Sequence, residues 1–310
     1  MNLVELPDRS FRKEIPSSWD EMSPETARFC LKQAVLSSQG LITPEEAQVR
    51  CLYYLLDIER DSTSVMKERM LMPEQLQEKN SRIYLLCQQL VPFLFEVNEK
   101  GLLEISYHTV LNHFPVLKAG KVVLHGPSHL LADLTFGELR AAVEEMQGYF
   151  DSKEEDRLSQ MIACLYRPER ADWEAWQSHE KYDGRRREPF NRAKVEFNAQ
   201  YTDRLSQVER KGILLWFSYC LQYIQTQDLE ISGREINFSP LFPGSGQRSE
   251  EPIRPDQRGA GWTGVLFQLA ESKVFGAMDK ADQTGFFDVL VYLYEKHLEN
   301  VKAKAKPKKK

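Results

Sequence analysis

Residues 134–146 read LTFGELRAAVEEM, and this stretch decides the fold class. Thr135 offers a hydroxyl to the open backbone N–H groups of a helix start. Glu138, three positions on, reaches back to close the capping box. Phe136 is placed to staple the new helix onto a core, and LRAAVEEM carries the helix forward.

The same signals recur on both sides. Ser23-Pro24-Glu25 and Thr43-Pro44-Glu45-Glu46 each set a capping hydroxyl before a proline at the first helical position. After the second, Val49, Leu52, Tyr53 and Leu56 recur at three and four, which marks one helical face. A third helix is expected from Pro73 past Leu90, with Ile83, Leu86, Leu90 and Leu94 on one side and Pro92 as its kink or stop. Asp151 or Ser152 caps a further helix, which runs through Leu165 and stops at Pro168. Residues 190–227 read as a long helical region, apolar nearly all round over residues 213–224, and so as core. A last helical pair is expected at 263–271 and 284–301.

One segment breaks the pattern. LLEISY, FPVL and KVVL fall within residues 102–124, with Lys118-Ala119-Gly120 between the last two. Glycine supplies the positive φ of a tight turn, which predicts a small hairpin closed by Gly126-Pro127. The expected fold is mainly α, a helical bundle-like body with one small β-hairpin. The expected organisation is a helical region with the hairpin (1–127), a central helical domain (128–238) and a Pro/Gly linker (239–260). A C-terminal helical pair (261–301) and a lysine-rich tail (302–310) complete it.

The net charge of −5 conceals an asymmetry. Removing the six lysines of residues 302–310 leaves −11 on the other 301 residues. An acidic body repels a nucleic-acid backbone, so general nucleic-acid binding by the globular part is not expected. The five cysteines are odd in number and widely spaced, and they sit in apolar runs. They read as buried thiols of a reducing compartment. The opening MNLVELPDRSFRKEIP has no apolar h-region, and the longest apolar run (213–224) is far short of the ~20 residues a bilayer needs. A cytoplasmic protein is expected.

Motifs with catalytic mechanics are scarce. GAGWTG at residues 259–264 matches G-x-G-x-x-G by letter, but PIRPDQR before it is not a buried strand, so a nucleotide site is not expected. His108, His113, His125 and His129 lack ligand spacing for zinc. Glu144, Glu145, Glu154 and Glu155 read as solvated helix-end charges rather than an acid–base pair. No nucleophile elbow or phosphate loop occurs, so the chain is expected to be no enzyme and to need no cofactor or metal. Recognition is the better reading of residues 169–189, a polar loop that sets Trp173, Trp176 and Tyr182 beside Arg185, Arg186 and Arg187. Arginine and aromatic residues are enriched at binding hot spots. The plainer alternative is arginine stacked on tryptophan for local order.

LTFGEL (134–139), CLYRPE (164–169), DGRRREPFN (183–191) and GWTGVLFQLAESKVFG (261–276), with PSSWDE near the N-terminus, resemble phrases of one family. It is that of the tail assembly chaperones and related tail-assembly proteins of tailed bacteriophages and prophages. The order and spacing of the phrases carry the resemblance, with Thr135, Phe136, Glu138, Arg167 and Pro168 as its structural positions. It implies a non-enzymatic protein in the cytoplasm of a bacterial host, binding a tape-measure protein or tail subunits. Competing readings are an adaptor of another bacterial assembly, or a nucleic-acid-associated factor acting through Lys302 to Lys310.

Overall fold

The structure is a computed structural model describing residues 1–5, 7–8, 11–98, 101–180, 182–242, 274 and 278–305. The glycine-rich phrase 259–264, the expected helix 263–271, all but the first four residues of the expected linker 239–260, and the last five residues of the tail lie outside the described residues. The chain divides into two compact units.

The first unit comprises Met1–Thr109 with Gln207–Gly212. A hairpin of β1 (Asn2–Glu5) and β2 (Arg12–Ile15) precedes α1 (Pro24–Ser38), α2 (Pro44–Leu55), α3 (Ser62–Arg69) and α4 (Pro73–Leu90). A second hairpin joins β3 (Phe95–Val97) to β4 (Leu103–Ile105). Ser23 and Thr43 accept from the backbone N–H groups of Thr26 and Glu46, so both helices start where their caps place them. Helix α4 ends before Pro92, which begins a short 3-10 turn. Ile15, Cys30, Leu31, Cys51, Leu52, Cys87 and Leu94 are buried in this unit. Trp19, also buried, meets Tyr107 edge-on at 4.6 Å.

The second unit comprises Val110–Ser206 and Ile213–Lys310. Strands β5 (Val116–Ala119) and β6 (Val122–His125) turn at Gly120, whose φ of +66° meets the demand of the tight turn. Helices α5 (Phe136–Ser152) and α6 (Glu155–Leu165) follow, then the short strand β7 (Arg167–Pro168), which adds antiparallel to β6. Next come α7 (Trp173–Trp176), α8 (Val195–Thr202) and α9 (Gln207–Thr226), whose first six residues count with the first unit. Strands β8 (Asp228–Ile231) and β9 (Arg234–Asn237) form another hairpin, and α10 (Met278–Gln283) and α11 (Phe286–Ala305) close the described chain. Ile213, Trp216, Phe217, Cys220 and Ile224 on α9 are buried, as the all-round apolar run requires.

The expected fold class is overturned. Among the described residues there are nine strands in four small sheets beside the helices, a mixed α/β chain rather than a helical bundle with one hairpin. Three hairpins went unread because each strand is only three or four residues long, too short to establish an alternation. LLEISY does not join the Gly120 hairpin either. Its Leu103–Ile105 pairs back with Phe95–Val97. In the last hairpin, Ser232 and Gly233 both take positive φ, the tight two-residue turn that matches strand twist. Asp151 and Ser152 end α5 rather than cap α6, and Lys153 makes the break in the left-handed conformation. No described helix is long and apolar enough to cross a membrane.

Candidate functional site: an arginine-lined cleft

The cleft begins at the N-terminus of α5. Thr135 Oγ1 accepts from the Glu138 backbone N–H at 3.2 Å, and Glu138 Oε2 accepts from the Thr135 N–H at 2.7 Å. A capping glutamate ordinarily faces water, but this one is buried. An isolated carboxylate there would be costly, so its burial demands cationic partners.

Two arginines meet the demand. Arg167 of β7 donates to Glu138 Oε1 and, through Nε, to the Glu188 carbonyl at 2.8 Å. Arg187 lies 3.4 Å from both Glu138 oxygens, donates to the Asp133 carbonyl at 3.1 Å and also pairs with the Asp133 carboxylate. Burial acts to raise the Glu138 carboxyl pKa, but Arg187, Arg167 and the Thr135 N–H outweigh it and hold the group at about 2. Burial likewise opposes the Arg187 charge, and Glu138 with Asp133 more than restores it.

The knot fastens three phrases of the sequence together: LTFGEL, CLYRPE and DGRRREPFN. Backbone bonds reinforce it. Glu188 N–H donates to the Pro168 carbonyl at 2.9 Å and Arg170 N–H to the Arg186 carbonyl at 3.0 Å, while Glu169 and Arg187 form a bridge. Residues 170–186 therefore leave and return through a narrow two-stranded base. On this excursion the Arg170 guanidinium sits 3.9 Å from the Trp176 ring centroid and Arg186 sits 5.3 Å from that of Trp173. Arg170 is also held by both Asp172 oxygens, at 2.7 and 3.0 Å.

At the knot lies a cleft of about 670 Å³, whose lining also takes in Arg170, Trp176, Asp183, Arg185, Asn191, Arg192, Asp282 and Gln283. Arg192 reaches Glu145 at 2.9 Å and Glu144 at 3.2 Å. Asp282 pairs with Arg140 at 3.0 Å, and its helix, α10, lies so close that a Cβ on Gly137 would come within 2.9 Å of the Asp282 Cβ. Glu138, Asp183 and Asp282 each pair with an arginine, Asp282 through Oδ2 only, and the chemistry of the cleft is one of hydrogen bonding, aromatic contact and charge pairing.

Several expectations about residues change here. Arg187 is no exposed recognition residue, because its pairing with Glu138 and Asp133 takes it inside. Residues 169–189 are not a plain open loop, since they contain α7 and the knot. Trp173 and Trp176 are half-buried under stacked arginines, while Arg186 and Tyr182 (43% exposed) face solvent. Phe136 is buried, Thr135 caps, and Pro168 sits in β7. Asp133, Arg170, Glu188, Arg192 and Asp282 were not singled out from the sequence. The local hints were Glu188, inside the DGRRREPFN phrase, and Arg192, which directly follows it.

Among the described residues no group of three His, Cys, Asp or Glu is placed to hold a metal ion. His129 Nδ1 accepts from the Asn112 N–H at 2.9 Å, and His125 Nε2 lies 3.6 Å from Glu169. All five cysteines are free and buried. Compared with protein-family models, characterised proteins and solved structures, the chain matches none.

Proposed function

We propose that this chain is a non-enzymatic phage or prophage tail assembly protein that binds a protein partner, a tape-measure protein or tail subunit, through the arginine-lined cleft and its aromatic excursion. One observation carries the reading. Three phrases that bear the family resemblance, scattered over residues 134–191, converge on a single cleft around Glu138.

The chemistry favours protein recognition. Trp176 and Phe190 give flat apolar walls, Arg185 and Arg192 give planar donors, and Asn191 and Gln283 give neutral amides. The arginines are balanced by neighbouring carboxylates, so the cleft offers local pairing rather than the net positive field that a phosphate backbone requires.

The test is co-expression with a tape-measure protein or tail subunit of a tailed phage or prophage, followed by purification. Co-elution that Arg192→Ala weakens supports the reading. Co-elution unaffected by changes throughout the cleft would remove the cleft from it, and no co-elution with any tail component would remove the assembly role. Binding to nucleic acid that weakens steeply with salt and disappears on deleting Lys302 to Lys310 would favour the nucleic-acid reading instead.

A further inference from the structure

Five arginines line the cleft, and four of them are hydrogen-bonded to carboxylates. Arg185 is the exception. Its Nε is covered yet bonds to nothing, and its closest carboxylate, Asp183, stands 3.6 Å away, outside bonding reach. Other bonds hold Asp183 there. Its Oδ1 accepts from Trp176 Nε1 at 3.3 Å and from the Arg185 backbone N–H at 3.1 Å, and a swing toward the guanidinium would break both. Among the described residues no acceptor bonds to the Arg185 guanidinium, whose side chain is 24% exposed.

The neutral groups of the lining have the same polarity. Asn191 Oδ1 accepts from the Ala193 N–H at 3.0 Å, so the donor end of its amide, Nδ2, is the end left open. The Gln283 amide has no partner among the described residues. Asp282 Oδ1 is also without a bond, but it is covered, and its carboxylate is already paired with Arg140. The open groups are thus mainly donors, and donors call for a group that only accepts. A carboxylate is such a group, and its two oxygens match the planar guanidinium. A phosphate carries nearly twice the charge, which one open arginine beside Asp183, Glu188 and Asp282 does not balance. Phe190, whose ring lies under the Arg167 guanidinium at 5.6 Å, gives an apolar wall on which the methylenes of an acidic residue can rest.

We propose that the cleft receives a carboxylate of the protein partner, paired with Arg185 and bonded by the amides of Asn191 and Gln283. This rests on the reading of the cleft as the partner site and names the group that it takes.

The Nε–H of Arg185 is covered from water, which makes it a usable nitrogen NMR probe in the full chain. N-acetylglutamate α-amide, with a side-chain carboxylate, and N-acetylglutamine, with a chain-end carboxylate, should each shift it saturably. The tighter of the two names the source of the carboxylate. Neutral N-acetylglutamine amide should not shift it, and Arg185→Gln should abolish the accompanying shifts of the Asn191 and Gln283 side-chain amides. No shift with either carboxylate, an equal shift with the neutral amide, or tighter binding of inorganic phosphate would each overturn the proposal. With a tail subunit as bait, Arg185→Gln should lower capture roughly tenfold, and Arg185→Lys, which keeps the charge without the planar donors, should recover only part of it. Capture that Arg192→Ala weakens and Arg185→Gln does not would overturn the carboxylate and leave the cleft as the partner site. Carboxylate probes that bind at Arg185 in a chain that captures no tail component would remove the assembly role and uphold the carboxylate site.

Discussion

Glu138 and Arg187 stand 49 positions apart in the chain and 3.4 Å apart in space, and both side chains are 2% exposed. Removing the carboxylate would leave Arg167 and Arg187 buried with only Asp133 between them. Breaking a buried ionic group from one side is far costlier than the net worth of the pair, typically ~3–5 kcal/mol. Glu138→Ala should therefore lower the unfolding free energy by about that amount in urea titration. Arg186→Ala, which breaks a 3.0 Å pair whose arginine is 50% exposed, should cost under ~1 kcal/mol. Equal effects from the two would contradict the hub role given to Glu138.

The same carboxylate predicts an acid-sensitivity window. Its folded pKa of about 2 lies below the ordinary value of 4.5, so the unfolded chain binds its proton first as pH falls. The stabilisation is complete above pH 4.5 and is lost progressively as pH drops toward 2. His125 adds a milder step at higher pH. Burial, aided by Arg186, lowers its pKa below 6.5 against the opposing pull of Glu169, so acid favours the unfolded chain there too. Glu21 is also held at about 2 and adds to the same acid step. Stability against pH, measured with and without Glu138→Gln, should therefore show a smaller lower step in the variant.

Gly137 gives a test in which two known effects oppose each other. Alanine is favoured over glycine inside a helix by ~1 kcal/mol. Here the added Cβ would sit 2.9 Å from the Asp282 Cβ and 3.0 Å from the Asp282 carbonyl oxygen, and backbone yields poorly. Overpacking at ~1–3 kcal/mol should win, making Gly137→Ala destabilising. Gly148→Ala in the same helix meets only the flexible Arg157 side chain at 3.3 Å, so it should be neutral or stabilising. If Gly137→Ala raises the melting temperature, α10 does not pack on α5 as described.

The helix starts at Ser23, Thr43 and Thr135 were legible because a cap is written within four consecutive residues. The Gly120 turn was legible for the same reason. What the sequence hid is non-local. The β3–β4 pairing depends on Phe95 meeting Ile105, and the third strand on His125 meeting Arg167, neither of which leaves a local periodic trace. Arg187 sits between an arginine and a glutamate in a polar run, and nothing adjacent announces that it will be inside. Its burial follows from Glu138 and Asp133, which only the fold brings to it. The phrases that carry the site were visible as words, and their meeting in one cleft was not.

The tryptophans of the excursion separate local order from partner capture. Trp176 packs under Arg170 at 3.9 Å and Trp173 under Arg186 at 5.3 Å, and cation–π contacts at exposed sites contribute ~0.5–1 kcal/mol each. Replacing both by alanine should therefore cost only about 1–2 kcal/mol of stability, since neither is a core residue. Large aromatics at the edge of a cleft can bury much area on a partner, and truncating such anchors costs ~2 kcal/mol or more of binding. With tape-measure protein or a tail subunit as bait, the double variant should capture about thirtyfold less while keeping its fold. The control is Tyr201→Ala, a tyrosine of α8 outside the cleft lining, which should leave capture unchanged. If the tryptophan variant unfolds at once, the two rings hold the excursion together. If it folds and captures as before, Trp173 and Trp176 serve only to stack their arginines.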